Sequence, residues 1–95
     1  MSYKLKFREE AKKEWEALDS TIQSLFAKKL KKILENPHIP NSKLSGMSDC
    51  YKIKLRASGF RLVYQVKDSV LIVIVVAVGK RERSKVYNEA KGRLV

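Results

Sequence analysis

A nine-residue stretch without one polar side chain, Val70 to Val78, constrains this chain more than any other feature. It is about half of the ~20 residues that a membrane-spanning helix requires, and Lys67-Asp68-Ser69 and Gly79 bound it as turns. Such a run reads as a central strand covered on both faces. The covering layers must come from a chain of 95 residues, which has room for one core and one domain, residues 1–95. Leu, Ile, Val and Phe supply 28 of those residues, about 29%, above the ~20% below which highly charged chains stay disordered. The chain is therefore expected to fold, with a thin stability margin.

Upstream of the run the pattern has a period of two. Tyr51, Ile53 and Leu55 alternate with Lys52, Lys54 and Arg56, and Phe60, Leu62, Tyr64 and Val66 alternate with Arg61, Val63 and Gln65. Arg56-Ala57-Ser58-Gly59 suits a four-residue hairpin loop, so Leu55 is predicted to face Phe60, Lys54 to face Arg61 and Lys52 to face Val63. That register gathers the apolar residues on one face, and a slip by one would bury the cations instead. Tyr3, Leu5 and Phe7 alternate with Lys4, Lys6 and Arg8 as a further short strand.

Between these segments the period changes. Phe7, Ala11, Trp15 and Leu18 are spaced by four, four and three, with Glu9/Lys13 and Lys12/Glu16 pairs, which predicts a helix over 9–18. Asp19-Ser20-Thr21 offers capping oxygens to a second helix with Ile22, Leu25, Phe26, Leu30, Ile33 and Leu34 in one stripe, stopped by Pro37. Residues 37–49 favour turns. Ser84 is a candidate N-cap for a short terminal helix carrying Val86, Tyr87, Ala90 and Leu94 and weakened by Gly92. The expected architecture is α+β, in the order βααβββ with a C-terminal helix, an antiparallel sheet packing against two N-terminal helices.

A formal charge of +11 points to a polyanionic partner: nucleic acid, an anionic membrane or an acidic protein. Residues 1–48 carry +4 and 49–95 carry +7. The N-terminus lacks a signal-peptide apolar core, and the lone Cys50 and lone His38 exclude an intrachain disulfide and leave too few ligands for zinc, so no metal, no cofactor and a cytoplasmic location are expected. Cys50 reads as a packed small hydrophobe, Trp15 as core, His38 as a loop residue without a role, and Glu9, Glu10, Glu14 and Glu16 as a solvated helix face. Lys52, Lys54 and Arg61 share the wet sheet face, Arg81 lies just beyond the central strand, and Tyr87 comes near if the tail folds back. They are either an ordinary solvated surface or a surface that holds phosphate. Crowded cations would bias a lysine among them toward losing its proton.

Three stretches, Cys50-Tyr51-Lys52-Ile53-Lys54-Leu55-Arg56, Gly59-Phe60-Arg61-Leu62-Val63-Tyr64 and Gly79-Lys80-Arg81-Glu82-Arg83 followed by Tyr87, together resemble the RelE toxins of bacterial toxin–antitoxin systems. The likeness covers essentially the whole chain. It implies a microbial RNase-like RelE fold and a metal-independent mRNA endonuclease working in the ribosomal A site. Carried onto matching positions, the family's catalytic residues are Lys52, Lys54, Arg61, Arg81 and Tyr87. Wider RNA contacts are expected from Lys28, Lys29, Lys31, Lys32, Lys43, Arg56, Lys80 and Arg83. One departure is Ser45, which follows Lys43-Leu44 where the family often has a basic residue. The implied partners are an acidic RelB-like antitoxin, the 30S A site with its rRNA, and mRNA; no membrane is expected, and operator DNA only through the antitoxin complex.

The chemistry agrees with the resemblance, since RNA brings its own 2′-hydroxyl nucleophile. Lys54 or Tyr87 would take its proton, Lys52 and Arg61 would hold the phosphorane, and Arg81 would clamp the leaving oxygen, while Tyr87 offers a stacking face. Two rivals share the same surface: a non-enzymatic RNA-binding module and a ParE-like gyrase poison.

Overall fold

The computed structural model describes residues 2–80 and 85–94. Four strands, β1 (Lys4–Phe7), β2 (Cys50–Leu55), β3 (Phe60–Lys67) and β4 (Ile72–Lys80), form one sheet in the order β1-β4-β3-β2. Helices α1 (Glu9–Glu16) and α2 (Ser20–Ile33) follow β1, and α3 (Lys85–Arg93) follows β4. The βααβββα order and the α+β class match the expectation. β2, β3 and β4 are antiparallel, but β1 joins β4 in parallel, pairing Lys4 with Ile72 through Phe7 with Val75, so the sheet is mixed. Alternation fixes which face a strand buries, and the direction of a strand remote in sequence is left to the connecting helices.

The hairpin register is the predicted one, with Leu55 opposite Phe60, Lys54 opposite Arg61 and Lys52 opposite Val63. Its loop closes with the Gly59 N–H donating to the Leu55 carbonyl at 2.9 Å, and Gly59 takes φ +77°, a conformation that only glycine adopts at little cost. Asp19 caps α2 as expected, its carboxylate accepting from the Ile22 N–H at 3.0 Å. The apolar run enters its strand two residues late. Asp68–Val70 forms a 3-10 turn and Leu71 takes a left-handed φ of 55°, which leaves Val70 exposed, while the strand continues through Gly79 to Lys80. Helix α1 ends at Glu16 instead of Leu18, and the predicted N-cap Ser84 lies outside the described residues.

Both faces of β4 are covered, and not by the one core that chain length suggested but by two, because α3 folds onto the face that α1 and α2 leave open. On one face α1 and α2 place Ala11, Ile22, Phe26 and Leu30 against Tyr51, Leu62, Tyr64, Val73, Val75 and Val78. Trp15 packs against this core between the rings of Phe7 and Phe26. On the other face α3 folds back, and its Val86 and Ala90 bury Cys50, Val63, Val76 and Ala77, with Leu44 and Met47 closing the side. A bulge links the two patterns: Val63 pairs with Ala77 but Tyr64 with Val75, so Val76 is extra and the alternation of β4 changes phase there. Val75 and Val78 thereby face the same core although they are three residues apart.

Candidate active site

The registers carry the predicted cations into one place. Lys54 pairs with Arg61, and Arg61 in turn with Gly79, so one row crosses β2, β3 and β4; the next row is Lys52, Val63 and Ala77. Directly opposed residues share a face with Cβ atoms ~5 Å apart. This is the face under α3, where Tyr87, half-buried, packs against the Cys50, Val63, Val76 and Ala77 cluster. The tail does fold back, and Lys52, Lys54, Arg61 and Tyr87 come to the same side of the sheet. Lys80 ends β4 with its Nζ 5.7 Å from the centre of the Phe60 ring. Arg81 and Arg83 lie outside the described residues.

The face is not wet throughout, as the alternation suggested. Lys54 is exposed and Lys52 half-buried, but Arg61 keeps only 6% of its surface. Its Nη1 donates to the Phe60 carbonyl at 3.0 Å, and its Nε is buried without a partner among the described residues. Alternation identified the face and could not say that α3 and the 43–49 loop roof part of it. A buried guanidinium with an unmatched N–H is costly, and its planar donors are shaped for a bidentate oxyanion. The geometry suits a phosphate receptor held ready in advance.

The wider basic set divides. Lys29 and Arg56 share a groove with Lys54, and Arg56 shares a second with Lys52 and Lys54. Lys28, Lys31 and Lys32 are exposed on α2, which covers the other face of the sheet. Lys43 bridges to Tyr51 at the start of β2 and lines a separate groove with the residues up to Asp49. Cys50 is fully buried, and burial pushes its thiol up to about 11, in keeping with packing and not with nucleophilic chemistry. Among the described residues no three His, Cys, Asp or Glu side chains gather as metal ligands, and no helix is long and apolar enough to cross a membrane.

Two arrangements were missed. His38 is held between the Tyr51 hydroxyl and the Asp68 carboxylate, each at 2.8 Å, and Asp68 also accepts from the Tyr3 hydroxyl at 2.6 Å. The Tyr3 and His38 hydrogen bonds hold the Asp68 carboxyl below its ordinary value. This network sits beside the Tyr51–Tyr64 stack, on the face away from Lys52 and Lys54.

The other is Glu14, expected in a solvated face. Among the described residues the edge of β4 beyond Phe7 has no strand partner, and Glu14 accepts from the Val78 N–H at 3.1 Å while Arg93 of α3 donates to the Val76 carbonyl at 2.8 Å. The two side chains join through hydrogen bonds of 2.8 and 3.1 Å, so an ion pair completes the edge and ties α3 to α1. No local spacing signals a pair 79 residues apart.

Desolvation pushes the Glu14 carboxyl up, but Arg93 and the Val78 N–H outweigh it and hold the group below its ordinary value. A lowered folded value means the stabilisation is full above the ordinary Glu value of ~4.3 and is lost as pH falls through the folded one. Glu14→Ala is expected to cost about 1–2 kcal/mol at neutral pH and much less at pH 3, measured by denaturant melts at the two pH values.

Residues 5–85 match the family described as the ParE toxin of type II toxin–antitoxin systems. The mRNA interferase toxin RelE of Escherichia coli strain K12 is 57% identical over 95 residues, covering 100% of both chains. A free E. coli RelE toxin carrying two arginine-to-alanine substitutions matches with a TM-score of 0.92 and 55% identity over 100% of both chains. A chain of the intact E. coli RelBE toxin–antitoxin complex matches with a TM-score of 0.84 and 56% identity, over 86% of this chain and 100% of that one.

Proposed function

The chain belongs to the RelE/ParE family of toxins of type II toxin–antitoxin systems, and from that membership we propose that it is a cytoplasmic, ribosome-dependent mRNA endonuclease that halts translation. The observation that carries the reading to chemistry is the row of Lys54 beside a buried, incompletely paired Arg61, with Lys52 and Tyr87 on the same face. The full-length identity to an mRNA interferase favours this reading over a gyrase poison.

In the proposed reaction the 2′-oxygen attacks the neighbouring phosphorus as the P–O5′ bond breaks in line. Lys54, once neutral, takes the 2′-hydroxyl proton. Lys52 and Arg61 hold the charge that gathers on the phosphorane oxygens, and Arg81 clamps the departing 5′-oxygen and gives it the proton with which it leaves, a strongly basic alkoxide being able to take a proton from a guanidinium. Tyr87 stacks on a base and keeps the nucleotide aligned. The products are a 2′,3′-cyclic phosphate and a 5′-hydroxyl. End-group analysis of cut message tests the chemistry: a cyclic phosphate is expected, and a free 3′-hydroxyl would contradict it. Relaxed plasmid incubated with gyrase and the toxin should supercoil normally; inhibition at concentrations that stop translation would favour the ParE-like activity.

A domain of charge +11 that cuts message requires a cover, and an acidic RelB-like antitoxin is the proposed partner. Helix α3 is the proposed point of control, because it carries Tyr87 over the site and is held by Val86, Ala90 and the Arg93 ion pair. Antitoxin binding is expected to displace α3, and amide hydrogen exchange should then differ between free and bound toxin across residues 85–94. Equal protection in both states would contradict this mode of control.

A further inference from the structure

Spacing along α2 places Leu25 in the apolar stripe, yet 43% of its surface is exposed. It is one of two large apolar side chains so exposed among the described residues, and it lies one helical turn before Lys29. Leu25 and Lys29 form one wall of a groove of about 350 Å³, whose other side is Lys54, Leu55, Arg56 and Ala57 at the end of the β2–β3 hairpin. A second groove of about 300 Å³ brings Asn41 and Ser42 against Lys52, Lys54 and Arg56. Lys54 and Arg56 line both, so the two make one trough along β2, the outermost strand of the sheet.

The trough combines two chemistries. Lys52 and Lys54 stand ~6.7 Å apart along the extended strand, close to the spacing of successive phosphates in a nucleic-acid strand, and Arg56 follows them in the hairpin turn. At the far end the exposed Leu25 and Ala57 give an apolar surface rimmed by Lys29 and Arg56, which suits the flat face of a base with its phosphate outside. The trough begins at Lys52 and Lys54, the cations that the proposed reaction sets against the scissile phosphate. A strand leaving that phosphate therefore enters it directly. On a ribosome the message 5′ of the A-site codon is paired to the P-site tRNA, which leaves the 3′ side free to do so.

We propose that this trough seats the message 3′ of the scissile phosphate, with Arg56 and Lys29 on its phosphates and Leu25 against the first base beyond the A-site codon. The proposal rests on the ribosome-dependent cleavage reading and adds a subsite to it. Because Leu25 is exposed, replacing it leaves the core intact. Two messages are compared in single-turnover cleavage on ribosomes, one running well past the A-site codon and one ending with it.

On the longer message Leu25→Ser is expected to raise the half-saturating toxin concentration about fivefold and Leu25→Tyr, which can stack on a base, to lower it about threefold. On the truncated message both variants should match the wild-type chain. Equal effects on the two messages would assign the trough to rRNA and overturn the proposal, as would wild-type behaviour of both variants on the longer one. If the wild-type chain cut neither message, the cleavage reading itself would fall, and the subsite with it.

Discussion

Replacing Arg61 with methionine is expected to slow cleavage of ribosome-bound message at least ~100-fold, about 2.7 kcal/mol of transition-state stabilisation, while leaving the fold as stable as before or more so. The two halves of this expectation come from the same observation. Arg61 is 6% exposed, and its buried Nε has no partner among the described residues. Desolvating a guanidinium is compensated only when every donor is matched, and an unbranched apolar side chain of similar length fills the space without that cost. The sequence alone suggests that stability barely changes because the side chain is wet; burial changes the reason and allows a gain. Arg81→Ala is expected to lose a comparable factor in rate. Single-turnover rates and denaturant melts on the same preparations decide the matter. Near-normal cleavage by both variants would remove the phosphate-holding assignment, and a large loss of stability in Arg61→Met would make Arg61 a structural residue.

Free mRNA is expected to be cut at least ~1,000-fold more slowly than the same message in a ribosome with an empty A site. The residues on the α3 face explain the gap. Lys52, Lys54 and Arg61 hold charge, but among the described residues no histidine or carboxylate stands with them as a base suited to neutral pH, and His38 is engaged with Tyr51 and Asp68 on the other face. The sheet tyrosines Tyr51 and Tyr64 are stacked on each other inside the core, which leaves Tyr87 as the aromatic residue beside the site cations. On the proposed reading this surface stabilises a reacting phosphate but does not set the 2′-hydroxyl in line for attack. A ribosome supplies the orientation. Association should weaken steeply with salt, since it is carried by exposed cations, while the rate at saturation should change little.

What could be read before the structure was the part governed by local spacing. The hairpin register, the Asp19 cap and the half-buried β2 follow from alternation, turn chemistry and helical period, and the register alone was enough to set Lys54 opposite Arg61, whereas β3, expected half-buried, is buried on both faces. What could not be read depends on contacts distant in sequence. The parallel docking of β1 is decided by the connecting helices, and the bulge at Val76 by the need of β4 to serve two cores. The Glu14–Arg93 pair answers an unpaired strand edge that is not apparent until β1 is seen to stop at Phe7. Arg61 looked exposed because period two reports a face and not its cover, and Leu25 looked buried because its stripe is wider than the sheet surface that α2 meets.

Mapping the ends of message on ribosomes that display one defined codon in an empty A site tests the central claim most directly. The account predicts new 5′-hydroxyl ends confined to that codon, lost when a tRNA fills the A site and reduced at least ~100-fold by Arg61→Met. Toxin that binds these ribosomes and leaves the message whole, or that cuts it equally well outside the A site, would contradict it.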